Sequence, residues 1–141
     1  MGRSNILNLL AIILAATAVS LLSSCKKDDK CEAGSGGSVT LILEPEHHGE
    51  PIYSQPAYRD SAFIKFDVEE FPGDDPTKYD IIVVGQSGSK QVTVSGLKCG
   101  KYYLFMTGFD TSIVERVKGG IPYEFDEEEG VKTVKVPVTE D

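Results

Sequence analysis

The chain has 141 residues and a formal net charge of −8, with 40% hydrophobic and 9% aromatic side chains. That length makes one domain, and the negative balance argues against nucleic-acid binding, which needs clustered Lys and Arg to neutralise phosphates. Tryptophan is absent, so the strongest side-chain platform for stacking sugars is missing as well.

Residues 1–24 have the three parts of an export signal: a basic start at Arg3, an apolar stretch from Ile6 to Leu22, and small residues before a cut site. An apolar helix of about seventeen residues rises roughly 25 Å, short of a hydrocarbon core about 30 Å thick. Leu22-Ser23-Ser24-Cys25 resembles the bacterial lipobox, which implies cleavage before Cys25 and a thioether-linked diacylglycerol on its thiol. Two or three acyl chains of the palmitate type then hold the protein to a membrane, at about 0.8 kcal/mol per buried methylene. Cleavage leaves 141 − 24 = 117 residues, and the loss of Arg3 moves the net charge from −8 to −9.

Lys26-Lys27-Asp28-Asp29-Lys30 has no apolar side chain and reads as solvated tether. It resembles the lipoprotein export signal of Bacteroidetes, which implies an outer-membrane address facing the cell exterior. With the Gly/Ser-rich stretch that follows, the lipidated tether is expected over 25–37 and the folded domain over 38–141. With Cys25 consumed by lipid, Cys31 and Cys99 remain. They are either a disulfide, which the oxidising compartment permits, or two free thiols.

In the domain, Val39, Leu41 and Leu43 alternate with polar or outward residues, and Pro45 is expected to end that strand. Pro45 to Ser61 is a long polar connection holding His47, His48, Tyr53 and Tyr58, either a functional loop or the site of a short edge strand. Ala62 to Glu69 reads as a half-buried strand with Ile64, Phe66 and Val68 inward. Tyr79 to Gly85 is a β-branched run suited to a central strand, and Val92 and Val94 suggest its hairpin partner across a turn at Gly88. Lys101 to Phe109 is the most aromatic strand, with Tyr102, Leu104 and Met106 on one face and Tyr103 and Phe105 on the other. Gly119-Gly120 reads as the turn of a hairpin joining Ile113–Lys118 to Ile121–Phe125. Val131 to Val138 is the last strand, with Val134, Val136 and Val138 inward.

No part of the mature chain shows an apolar repeat at helical spacing. About seven short strands separated by turn signals predict an all-β fold, a single antiparallel Ig-like β-sandwich. Val94-Ser95-Gly96-Leu97-Lys98-Cys99-Gly100-Lys101-Tyr102-Tyr103-Leu104 resembles a turn-and-strand segment of prealbumin-like and carboxypeptidase regulatory-like sandwich modules, with Cys99 in place of the usual proline. In that resemblance the glycines shape the turn, Leu97 plugs the sandwich end and Tyr102 opens the next strand. His47-His48-Gly49, Phe71-Pro72-Gly73, Gly119-Gly120 and Val138-Thr139-Glu140 are similar to segments of small uncharacterised Bacteroidetes lipoproteins with this fold, which imply no activity.

Chemical constellations are sparse. The histidine pair would need Asp or Glu to complete a zinc site, and adjacent residues rarely point at one ion. Glu46 and Glu50 stand beside the pair and leave weak adventitious metal binding as the alternative to the expected state of His47 and His48, a solvated loop; no metal or other cofactor is assigned. Gly85-Gln86-Ser87-Gly88-Ser89 misses the nucleophile-elbow pattern because Ser89 stands where the second glycine belongs. Asp74-Asp75 and Asp126 to Glu129 lack the spacing of a calcium cage and read as solvated loops. The expectation is a non-enzymatic, lipid-anchored binding or structural module, whose partner is an envelope protein or a glycan and not a nucleic acid. The alternatives are a carbohydrate-binding uptake accessory, with His47, His48, Tyr53 and Tyr58 on its ligand loop, and a fimbria-like subunit.

Overall fold

The computed structural model describes residues 31–140; the leader and the expected lipidation site Cys25 lie outside them. The fold is all-β. Eight strands run in chain order: β1 (Ser35–His47), β2 (Glu50–Pro51), β3 (Ser61–Phe66), β4 (Ile81–Val84), β5 (Val92–Leu97), β6 (Gly100–Asp110), β7 (Glu115–Phe125) and β8 (Glu129–Glu140). They form one mixed sheet in the order β2-β1-β8-β7-β6-β3-β4, curled into a half-barrel, with β5 also pairing β1. The open seam lies between β4 and β5, which line a cleft of about 380 Å³.

Period-two alternation places Val39, Leu41 and Leu43 of β1, Val92 and Val94 of β5, Tyr102, Leu104 and Met106 of β6, and Val134, Val136 and Val138 of β8 in one buried core. The opposite face of β6 is covered too. Tyr103 and Phe105 pack there with Tyr79, Phe63 and Val68, so β6 is buried on both sides over most of its length.

Several sequence expectations need correction. The antiparallel pattern has an exception in the middle of the sheet, where β1 and β8 run parallel from Ser38↔Glu129 to His47↔Val138. Pro45 does not end β1. Its carbonyl accepts the Ile52 N–H at 3.1 Å, so its own nitrogen faces the same side. There the β5 ladder has stopped at Leu43 and the β2 ladder starts at Glu46, and the missing N–H falls in the gap.

Residues 79–95 are not a hairpin. β4 pairs β3 at the edge of the sheet and β5 pairs β1, and Ile82 and Val84 of β4 are exposed, so the β-branched run is an edge strand. Gly119-Gly120 is not a turn either, because β7 passes straight through it, in register with Met106 and Phe105. A Cβ at Gly119 would sit 2.2 Å from the Pro137 oxygen, and one at Gly120 would sit 2.6 Å from the Leu104 oxygen. The two glycines let backbones approach, Gly119 where β7 meets β8 and Gly120 where it meets β6, not where the chain reverses. The reversal lies at residues 111–114, between Asp110 and its partner Glu115. Val68 leaves the face of Ile64 because Asp67, at φ 54°, breaks the alternation after β3.

Residues before 38, expected as tether, are also part of the fold, since β1 starts at Ser35. Cys31 and Cys99 form a disulfide with Cα atoms 5.1 Å apart. The Tyr102 hydroxyl accepts the Gly34 N–H at 3.1 Å and donates to the Lys98 carbonyl. Residues 31–34 are therefore fastened to the turn that opens β6.

Candidate functional site

β1 and β6 each begin near the disulfide and end together at the opposite pole. At about 3.3 Å per residue, the ten steps from Gly100 to Asp110 put that pole roughly 30 Å from Cys99. Along β1 the inward positions are Val39, Leu41, Leu43, Pro45 and then His47. Along β6 they pass from Tyr102 through Met106 to Asp110. The last inward position of each strand is thus polar, where the apolar core ends.

His47 is 4% exposed, not a residue of a solvated loop as expected. Its Nδ1 and Asp110 Oδ2 are 2.7 Å apart. Asp110 is held in turn: its Oδ1 accepts the Ser112 N–H at 2.7 Å and the Ser112 hydroxyl at 2.6 Å, an Asx turn that fixes the carboxylate at the start of the β6–β7 reversal. The hydrogen bond to Asp110 raises the His47 pKa above its ordinary value, against burial, with the Glu140 carboxylate adding to the rise. The Ser112 hydrogen bonds, and then His47, hold Asp110 below the usual carboxylate range.

His48 and Gly49 make the two-residue turn between β1 and β2, with φ of 52° and 82°. Positive φ at both central positions is the hairpin geometry that follows the twist of the strands. It also bends the backbone so that consecutive side chains, which point apart on a regular strand, converge here. The His47 and His48 rings lie 4.1 Å apart, centroid to centroid. Glu140, at the end of β8, completes the group: its Oε2 is 3.4 Å from His47 Nε2 and its Oε1 is 3.8 Å from His48 Nε2. A cleft of about 330 Å³ opens beside them, lined also by Glu50, Tyr53 and Ile113.

The two tyrosines of the expected ligand loop part company. Tyr53 is exposed and lines this cleft. Tyr58 lies over the β6–β7 ladder, stacked on Phe109 at 4.8 Å, with the Arg116 guanidinium 5.0 Å from its ring centroid. Tyr58 is exposed as well, but its ring is engaged by Phe109 and Arg116 and lies away from the histidine cleft. The acidic loops have partners as well: Asp74 pairs with Lys118, Glu127 with Lys132, and Asp75 caps the short 3-10 turn by accepting the Thr77 N–H.

No motif in the sequence marks Asp110, Ser112 or Glu140 as a site residue. The available signal was parity: Asp110 continues the Tyr102, Leu104, Met106 face, and Glu140 continues the Val134, Val136, Val138 face. A comparison with known proteins finds no match, whether among family models, curated proteins or solved structures.

Proposed function

We propose that the chain is a lipid-anchored, non-enzymatic module of a bacterial outer membrane that faces the cell exterior and presents its histidine pole to an envelope protein or a glycan. One observation carries this reading: the disulfide fastens the chain, six residues after Cys25, to the end of the fold opposite His47. An acylated Cys25 would then lie below the domain, and the His47, Asp110 and Tyr53 cleft would face away from the lipid. The prealbumin-like sandwich is our proposal for the ancestry of the half-barrel, supported by the Gly96 to Leu104 segment, in which Leu97 is fully buried at the end of the core.

The test is incorporation of labelled fatty acid by cells expressing the chain or its Cys25→Ala variant, with external protease added to whole cells. Label on the parent alone, with loss of the domain to protease, is the expected result. Label that persists in the variant refutes the anchor; resistance until the outer membrane is broken refutes the outward orientation.

A further inference from the structure

We infer that His47, His48 and Glu140 form a binding site for a divalent transition-metal ion of the zinc class. The site goes beyond the anchoring reading and does not depend on it. Each residue offers one ligand atom, and the three atoms lie within 4.8 Å of one another. Ligands at about 2.0–2.1 Å from a tetrahedral ion stand about 3.3 Å apart. The His47 Nε2 to Glu140 Oε2 separation of 3.4 Å already meets that spacing. His48 is the member that must close in, and its side chain is 78% exposed on a hairpin turn, touching the His47 ring on one side only, so a small rotation is open to it.

An independent feature points to the same place. His47 Nε2 is buried, and what it faces is the Glu140 carboxylate, 3.4 Å away and at the long limit of a hydrogen bond, which leaves a desolvated ring nitrogen directed at a carboxylate and a second imidazole. The other ring nitrogen is bound to Asp110, whose opposite oxygen is fixed by Ser112. When Nδ1 carries the proton and donates it to Asp110, the lone pair sits on Nε2. Carboxylate, histidine and ion in series is the arrangement in which an outer carboxylate orients a metal-ligating imidazole.

Two imidazoles and one carboxylate select zinc and its neighbours over calcium or magnesium, whose sites are built from oxygen. Three protein ligands leave a fourth position open. The cleft beside His47 and Tyr53 gives that position access to a donor group from outside.

The test uses the full chain, purified in detergent without a polyhistidine tag, stripped by chelator and titrated calorimetrically with zinc chloride. We expect one zinc per chain. His48→Ala and Glu140→Gln, neither of which alters a buried side chain, should each weaken binding tenfold or more while the circular dichroism spectrum stays that of the parent. Asp110→Asn should weaken it about ten- to a hundredfold through misorientation of His47. Failure of the parent to take up one equivalent, or a loss short of tenfold in either His48→Ala or Glu140→Gln, overturns the site.

Discussion

Asp60 offers the sharpest test of how this core is built. Its backbone is well placed: the N–H donates to Ser54 Oγ at 3.0 Å and the carbonyl accepts the Gly85 N–H at 2.8 Å. Its carboxylate is not, since the residue is fully buried and neither oxygen has a hydrogen-bond partner among the described residues. The group lies against Gly108, where a Cβ would meet Oδ1 at 2.6 Å. Burial alone pushes its pKa from 3.8 to about 7. At this site the folded state therefore holds a proton more tightly than the unfolded one, so the contribution of Asp60 to stability is fully present below pH 4 and is lost as pH rises through about 7. Three units at 1.36 kcal/mol each set the loss at about 4 kcal/mol, an upper figure because water entering the site would reduce it. Asp60→Asn is neutral at every pH and nearly isosteric. Urea unfolding should place the variant within about 1 kcal/mol of the parent at pH 4 and about 3–4 kcal/mol above it at pH 8. An advantage that is the same at both pH values, or a variant less stable at pH 8, would refute the premise that this carboxylate is buried without a partner.

Two further predictions concern how the ends of the fold are held. The disulfide spans 68 residues, and the chain-entropy relation gives about 4 kcal/mol for a loop of that size. The Cys31→Ser, Cys99→Ser double variant should lose about that much in urea unfolding, with faster amide exchange at Tyr102, and equal stability would show that the bridge constrains nothing. Gly119→Ala, with its Cβ directed onto Pro137, should lose about 3 kcal/mol by forcing β7 and β8 apart. A thermal midpoint matching the parent would show that the glycine pair serves no close approach.

What sequence made legible was local. Alternation in β1, β6 and β8 marked the inward residues, because a one-sided strand writes its face in every second side chain. Partnerships between strands were not legible. The Tyr79 to Gly85 run has the composition of a central strand and lies at an edge, because the outer cover of β6 comes from Tyr79 and its neighbours and not from β4. Gly119-Gly120 carries the composition of a turn, yet its cause is two neighbouring carbonyls, of Pro137 and Leu104, on strands that no local pattern identifies as partners. His47 stood on the border between the two kinds of information. Its parity with Val39, Leu41 and Leu43 was visible, and only the assumption that Pro45 stops a strand hid it.

The parallel ladder between β1 and β8 makes the histidine pole possible. Had the chain's last strand returned antiparallel to its first, the Glu129 end of β8 would stand beside His47, and Glu140 would lie near the disulfide. Parallel pairing carries both strands toward the same pole and sets Val138 against His47. Two residues on, on the same face of the strand but past the end of the core, comes the exposed Glu140. β6 reaches the same pole with Asp110 because its ladder to β7 runs the full length of the strand and reverses only there. Three strands far apart in sequence therefore end their apolar faces at one level, each with a polar residue. Such residues serve as a cap to the core, and what sets this cap apart is the convergence of a second imidazole, His48, and the Glu140 carboxylate on the buried Nε2 of His47.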